Sequence, residues 1–220
     1  PAMSLLEFTP IPGAITERKR IPARETEVES REMEGTRCRF RTTADVDLYP
    51  LQLEQVSMES ASSGQSALRL RFATLPGATL GQAGIERLRL HLVGEPAYTL
   101  YYWLCRYVGK IKLRLLTQGR PAEELGLPDC KIQPFGFAKE EALLPYPQTA
   151  FDGYRLLQEY FAFPQKFLAV DLSDLRPLAR RSSATTFEIL ILFTKAPPAS
   201  LRVSKDHVRL FCTPIVNLFT

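Results

Sequence analysis

The sequence predicts a mainly β protein of the α+β class, an antiparallel β-sandwich or open barrel with two packed helices. The first observation is that apolar residues alternate with basic ones in several short segments, a period typical of half-buried strands. These segments are 37–42, 68–72, 87–92 and 110–116. The second observation is that these segments follow one another through short loops, without regular alternation with helices. This order argues against a parallel, doubly wound sheet.

Two other segments have helical spacing. The first spans about 95–108, where Pro96 suits a first helical turn and Gly109 suits the end of the helix. The second spans about 153–163. The run 187–193 is almost wholly apolar, which predicts a central strand buried on both faces.

The distribution of charge divides the chain into two parts. Residues 1–35 carry many charges of both signs, and we predict an extended N-terminal arm there. Residues 36–220 are predicted to form one β-rich domain with helical insertions. The chain begins with Pro1 and ends in an apolar run, so we expect a fragment of a longer protein.

The composition fits a globular domain, with 45% hydrophobic and 24% charged residues. No run approaches the roughly 18 consecutive apolar residues that a membrane span needs, so no direct membrane insertion is expected. The net charge of +4 is compatible with an acidic partner but does not require nucleic acid.

The sequence lacks the glycine-rich phosphate and dinucleotide loops and the nucleophile elbow. Its four cysteines are far apart and it has only two histidines, which argues against a tetrahedral zinc site. We therefore predict no catalytic residue, no cofactor, no metal and no enzymatic activity. The cysteines are expected to be buried free thiols, and His91 is expected on the exposed face of a strand.

The basic faces of the predicted strands allow an alternative function. Converging on one sheet, they would suit a non-catalytic β-sandwich binding module for single-stranded nucleic acid or glycan. We favour the simpler interpretation that arginine and lysine occupy the solvated side of amphipathic strands, so no nucleic acid is expected. The residues concerned are Arg37, Arg39, Arg41, Arg69, Arg71, Arg87, Arg89, Lys110, Lys112 and Arg114.

The most distinctive segment is 142–167. Pro145 and Pro147 hold its first part extended, because proline fixes φ and restricts the residue before it. Asp152 stands where an N-cap belongs, and Pro164 ends the predicted helix.

One face of this helix is apolar. By helical spacing it contains Tyr154, Leu157, Tyr160 and Phe161. We predict that this face packs into the core of the domain. The alternative is that part of it, or the preceding 143–147 arm, contacts a neighbouring protein.

The segments 143–147 and 153–164 resemble the most recognisable part of the TssF family (also called ImpG or VasA), the baseplate component of the bacterial type VI secretion system. The segments 3–8, 38–51, 88–92 and 212–219 also resemble family segments, in the expected order. The resemblance covers nearly the whole chain. The residues that carry it most strongly, and that we regard as candidate interface residues, are Leu143, Leu144, Pro145, Tyr146, Pro147, Tyr154, Glu159, Tyr160, Phe161, Phe163 and Pro164.

The resemblance implies a structural subunit without catalysis, located at the cytoplasmic side of the inner membrane. In the family, two TssF copies and one TssG form a wedge that connects to TssK trimers. The wedges surround the spike hub and support assembly of the contractile sheath and tube. Family members are longer than this chain, so the chain would be an internal domain.

Overall fold

The computed structural model describes residues 1–32, 34–61, 64–116, 121–147, 149, 151–180 and 184–219. Within these ranges the chain forms fifteen strands and three α-helices. The strands are β1 (Met3–Glu7), β2 (Lys19–Ile21), β3 (Glu27–Glu29), β4 (Arg39–Thr42), β5 (Val46–Leu48), β6 (Leu51–Ser60), β7 (Ser66–Thr74), β8 (Leu88–Leu92), β9 (Val108–Leu116), β10 (Glu123–Gly126), β11 (Ile132–Pro134), β12 (Ala169–Leu172), β13 (Thr186–Phe193), β14 (Val208–Arg209) and β15 (Cys212–Val216). The helices are α1 (Leu80–Ala83), α2 (Ala97–Arg106) and α3 (Asp152–Ala162).

The strands form four antiparallel sheets. The largest has the order β10-β9-β13-β7-β6, and a second has the order β11-β12-β8-β14. Two further sheets have the orders β1-β15-β4-β3 and β2-β5. None of these strand orders closes into a barrel within the part of the chain that the structure describes. The predicted fold class, a mainly β protein with antiparallel sheets and packed helices, is confirmed.

Strand β13 lies at the centre of the largest sheet, as its apolar sequence predicts. Ile189 stands opposite Leu70 of β7 on one side and Leu113 of β9 on the other. Phe187 stacks on Phe72 with ring centroids 5.0 Å apart. The inward side chains of this sheet share one core with residues of β8, β12 and α2. Each such buried side chain contributes about 1.5–3 kcal/mol of transfer free energy.

Both predicted long helices are present. Helix α2 spans Ala97–Arg106, inside the predicted 95–108, and buries Leu100 and Leu104. It ends where the chain enters β9 at Val108. Helix α3 spans Asp152–Ala162, one residue displaced from the predicted 153–163.

The N-terminal arm is paired with strands from the rest of the chain. Strand β1 pairs with β15 near the C-terminus, with Met3 opposite Val216. Strands β2 and β3 pair with β5 and β4. A boundary at residue 35 stays a prediction.

His91 lies in the interior, so its predicted surface position is wrong. Its side chain is fully buried, with its ring edge-on to Phe135 at a centroid distance of 6.0 Å. Neither ring nitrogen has a hydrogen-bond partner among the described residues. The alternation in β8 suggested a solvent-exposed face, but Phe135 lies against that face and its ring meets both His91 and Arg89.

The cysteines divide into two pairs by burial. Cys130 and Cys212 are buried free thiols, whereas Cys38 and Cys105 are exposed, so the prediction of burial is wrong for the latter two. Burial raises the pKa of the Cys130 thiol to about 11 and that of Cys212 to about 12, and nearby carboxylates add to both shifts. Because the thiolate is the reactive form, both buried cysteines are expected to be inert.

We expect a disulfide reagent such as DTNB to modify Cys38 and Cys105 in the native protein. Cys130 and Cys212 should react only after unfolding in guanidinium, which would expose them and restore an ordinary pKa. The release of thionitrobenzoate at 412 nm measures both stages. The native protein should release two equivalents of thionitrobenzoate per chain, and a Cys38→Ser variant should release one. Rapid release of four equivalents by the native protein would contradict the burial pattern.

Candidate protein–protein interface

Helix α3 is oriented with its charged face inward. Arg155 and Glu159 are its buried residues, one helical turn apart. The face predicted to pack in the core points to solvent instead, so that prediction is wrong. The helix begins at Asp152, with Phe151 at the N-cap position and no side-chain cap. Asp152 pairs with Lys139 at 3.3 Å instead of capping the helix.

A buried ion cluster holds α3 against the domain. The Glu159 carboxylate is 1% exposed and accepts from the Arg155 guanidinium at 3.3 Å and from the Lys166 ammonium. Its other oxygen accepts the backbone N–H of Leu143 at 2.8 Å. The Arg155 guanidinium also donates to the carbonyl of Phe137 at 2.9 Å. Burial lowers the pKa of Lys166, and the Glu159 carboxylate opposes that shift.

This cluster explains why α3 buries its charged face and exposes its aromatic one. A buried charge is tolerated only when it is paired and hydrogen-bonded, and Glu159 meets that condition through two cations and one backbone donor. Lys166 comes from the 3₁₀ turn Pro164–Phe167 that follows α3. Sequence reasoning singled out Glu159 but missed Arg155 and Lys166. The Arg155–Glu159 spacing of four residues was the available signal, because such pairs are neighbours on a helix.

We call the outward surface the α3 aromatic face and define it as Phe151, Tyr154, Leu157, Tyr160 and Phe161. Phe161 is 81% exposed, Phe151 72% and Tyr154 69%. Phe151 packs edge-on against Tyr154, and Tyr160 against Phe161, at centroid distances of 5.8 and 5.9 Å. Adjacent exposed aromatics of this size are typical of binding surfaces rather than of free solvent-facing helices.

The 143–147 arm, which lies beside this face, is partly exposed to solvent. Leu143 is buried and Leu144 is half-buried, whereas Pro145 and Pro147 are exposed. The hydroxyl of Tyr146 donates to the carbonyl of Phe151, which ties the arm to the start of α3. Phe163 and Pro164 are half-buried at the end of the helix.

The structure therefore separates the candidate residues into two groups. Leu143 and Glu159 are enclosed within the domain. The prolines of the arm and the aromatic residues of α3 remain accessible to a partner. An interface role for any of them stays a prediction.

The basic strand faces are largely neutralised within the domain. On the outer face of the largest sheet, Arg114 pairs with Glu124 at 2.8 Å and with Glu188 at 3.0 Å. Arg69 also contacts Glu188, at 3.5 Å. Of the ten basic residues considered above, Lys110 alone has no acidic partner among the described residues. This pairing disfavours a broad polyanion-binding sheet.

The described residues contain no cluster of three or more histidine, cysteine or acidic side chains placed to hold a metal ion. No helix in the same part of the chain is long and apolar enough to cross a bilayer.

A β-rich module with an exposed aromatic helix face is typical of proteins that assemble with other chains. The model of the family described as "Type VI secretion system, TssF" matches residues 1–220. The chain belongs to the TssF family.

Two relatives support this assignment. The type VI secretion system component TssF1 of Pseudomonas aeruginosa is 33% identical over 199 residues, which cover 84% of this chain and 32% of that protein. A chain in the cryo-electron microscopy structure of a TssK–TssF–TssG baseplate subcomplex matches with a TM-score of 0.87 and 34% identity. That match covers 100% of this chain and 42% of the other. The chain thus spans about a third of the length of the curated relative.

Proposed function

We propose that the chain is a structural, non-catalytic module of the type VI secretion baseplate, acting at the cytoplasmic side of the inner membrane. Membership of the TssF family and the match to a baseplate subcomplex support this role. TssG, a second TssF copy and TssK trimers are its proposed partners, with the spike hub and the sheath nearby.

At the level of residues, the proposal rests on the exposure of the α3 aromatic face. In this role it packs against TssG or the second TssF copy. Its aromatic side chains would lose their exposed area to water on assembly, and aromatic residues supply much of the binding energy in protein interfaces. The buried ion cluster beneath fixes the helix before a partner arrives, which lowers the entropic cost of binding.

We expect Phe161→Asp and Tyr154→Asp to weaken assembly by roughly tenfold or more, the scale of an interface hot spot. Both side chains are exposed in the domain, so the melting temperature should change by only about 2 °C. The test is co-expression of the protein with TssG and TssK from the same genome, followed by co-purification and a thermal melt of each variant.

Tyr98→Asp is the matched control. Tyr98 lies on α2, is also an aromatic residue on a helix, and is 56% exposed. We expect this variant to co-purify like the unchanged protein. If both α3 variants fold and co-purify at unchanged yield, the α3 aromatic face is not the interface.

A further inference from the structure

A second surface lies at the edge of the largest sheet. It is a cleft of about 740 Å³ between the end of α2, strand β9 and the turn that joins β10 to β11. This volume falls within the range of about 300–1,000 Å³ found for ligand sites. Its apolar lining is aliphatic: Leu104, Val108, Ile111, Leu127, Pro128 and Ile132.

The described charged side chains that line the cleft are all basic. Its lining includes Arg106, Lys110, Lys112 and Lys131, and none of the described residues that line it is acidic. Lys112 pairs with Glu124 at 3.4 Å. Arg106, Lys110 and Lys131 belong to none of the ion pairs found among the described residues. The other basic residues on the strands of this sheet, Arg69, Arg71 and Arg114, have carboxylate partners.

The backbone of β9 is open on the side of the cleft. Strand β10 covers β9 only from Lys112 to Leu115, and one more bond joins the Leu127 N–H to the Ile111 carbonyl. From Val108 to Lys110 the described residues place β13 on one side of β9 and no strand on the other. An open strand edge can accept an extended peptide as an added strand.

We propose that this cleft is a docking site for an extended protein segment that alternates acidic and aliphatic residues. Its backbone would lie along the open edge of β9, its aliphatic side chains would fill the apolar floor, and its carboxylates would meet Lys110, Lys131 and Arg106. Lysine at a strand edge discourages unselective pairing, so here it would select for an acidic strand. This inference rests on the cleft alone and not on the baseplate assignment or on α3.

The lining favours a peptide over nucleic acid. Single-stranded nucleic acid is held by aromatic rings on which its bases stack. The described lining of the cleft contains no aromatic residue. Aliphatic side chains beside an open strand edge suit amino-acid side chains instead.

Fluorescence anisotropy with a labelled peptide tests the proposal. The probe is a seven-residue peptide alternating aspartate or glutamate with valine or isoleucine. We expect saturable, micromolar binding that weakens roughly tenfold or more in a Lys110→Glu, Lys131→Glu double variant, because two attractive pairs become repulsive. The matched control is Lys19→Glu with Lys205→Glu, which changes the charge equally at exposed lysines outside the cleft lining and should leave binding unchanged.

Two further probes distinguish the mode and class of ligand. A peptide with N-methyl groups on alternate residues, which cannot complete strand pairing, should lose binding. Equal affinity for the N-methylated peptide, for a peptide with lysine in place of the acids, or for single-stranded DNA would overturn the proposal. Absence of saturable binding by the acidic peptide to the folded protein would overturn it as well, whatever the α3 variants do in co-purification.

Discussion

Replacing Glu159 with alanine is expected to reduce the free energy of unfolding by about 3–5 kcal/mol, the cost of breaking a buried ion pair from one side. The change leaves Arg155 and Lys166, which are 3% and 0% exposed, as buried cations without their shared carboxylate. It also leaves the Leu143 N–H without its acceptor. Chemical denaturation of the purified protein measures the loss.

A triple variant separates lost charge pairing from lost packing. Arg155→Leu, Glu159→Leu and Lys166→Met together remove all three charges while keeping side-chain volume. Apolar replacement of a whole buried ion cluster is often neutral or stabilising, but the Leu143 N–H still lacks its acceptor in the triple variant. We therefore expect the triple variant to recover part of the stability lost in Glu159→Ala. A loss below about 1 kcal/mol in Glu159→Ala would show that the cluster does not hold α3 in place.

Acidification is expected to destabilise the protein through His91. Burial, with a smaller contribution from the Arg89 guanidinium, lowers the pKa of His91 from 6.5 to about 3. The unfolded chain therefore binds a proton below pH 6.5 that the folded protein does not. Stability falls by about 1.4 kcal/mol per pH unit across this window, approaching about 5 kcal/mol near pH 3.

Among the described residues, none forms a hydrogen bond with the His91 ring or favours a positive charge on it. Arg89 stands on the same strand, with its guanidinium 3.5 Å from the centroid of Phe135. The Asp171 carboxylate is already bound by Arg89 at 2.7 and 2.9 Å.

A His91→Leu variant removes the titrating group. Its free energy of unfolding, measured by urea titration between pH 7 and pH 4, should fall less steeply than that of the unchanged protein by about 1.4 kcal/mol per pH unit below pH 6.5. His207→Gln is the control, because His207 lies in the 3₁₀ turn Lys205–His207 near the surface. If the free energy of unfolding fell with pH equally steeply in His91→Leu and in the unchanged protein, His91 would not be a buried neutral imidazole.

Local patterning predicted most secondary structure. The apolar run of β13 predicted a central strand, and the structure places β13 at the centre of its sheet. Helix α2 lies within its predicted bounds because its apolar residues share one face and pack on the core. The burial of the β8 face that carries His91 depends on Phe135, a residue far away in the chain, and alternation alone cannot reveal this.

The candidate interface was predicted in position but not in orientation. The sequence placed aromatic residues on one side of α3, and burying such a face is the ordinary expectation. The structure buries the opposite side, because Lys166 and the Leu143 N–H complete the hydrogen bonding of Glu159.

By itself the sequence determined the antiparallel, mainly β class, the two long helices and the likeness to the TssF family, because these depend on local periodicity and on strings of residues. Only the tertiary structure decided which helix face points outward, which cations remain unpaired and which histidine is enclosed. Each of these depends on whether a charged or polar group finds a partner from a distant segment. In the low-dielectric interior that partner determines the free energy of burial.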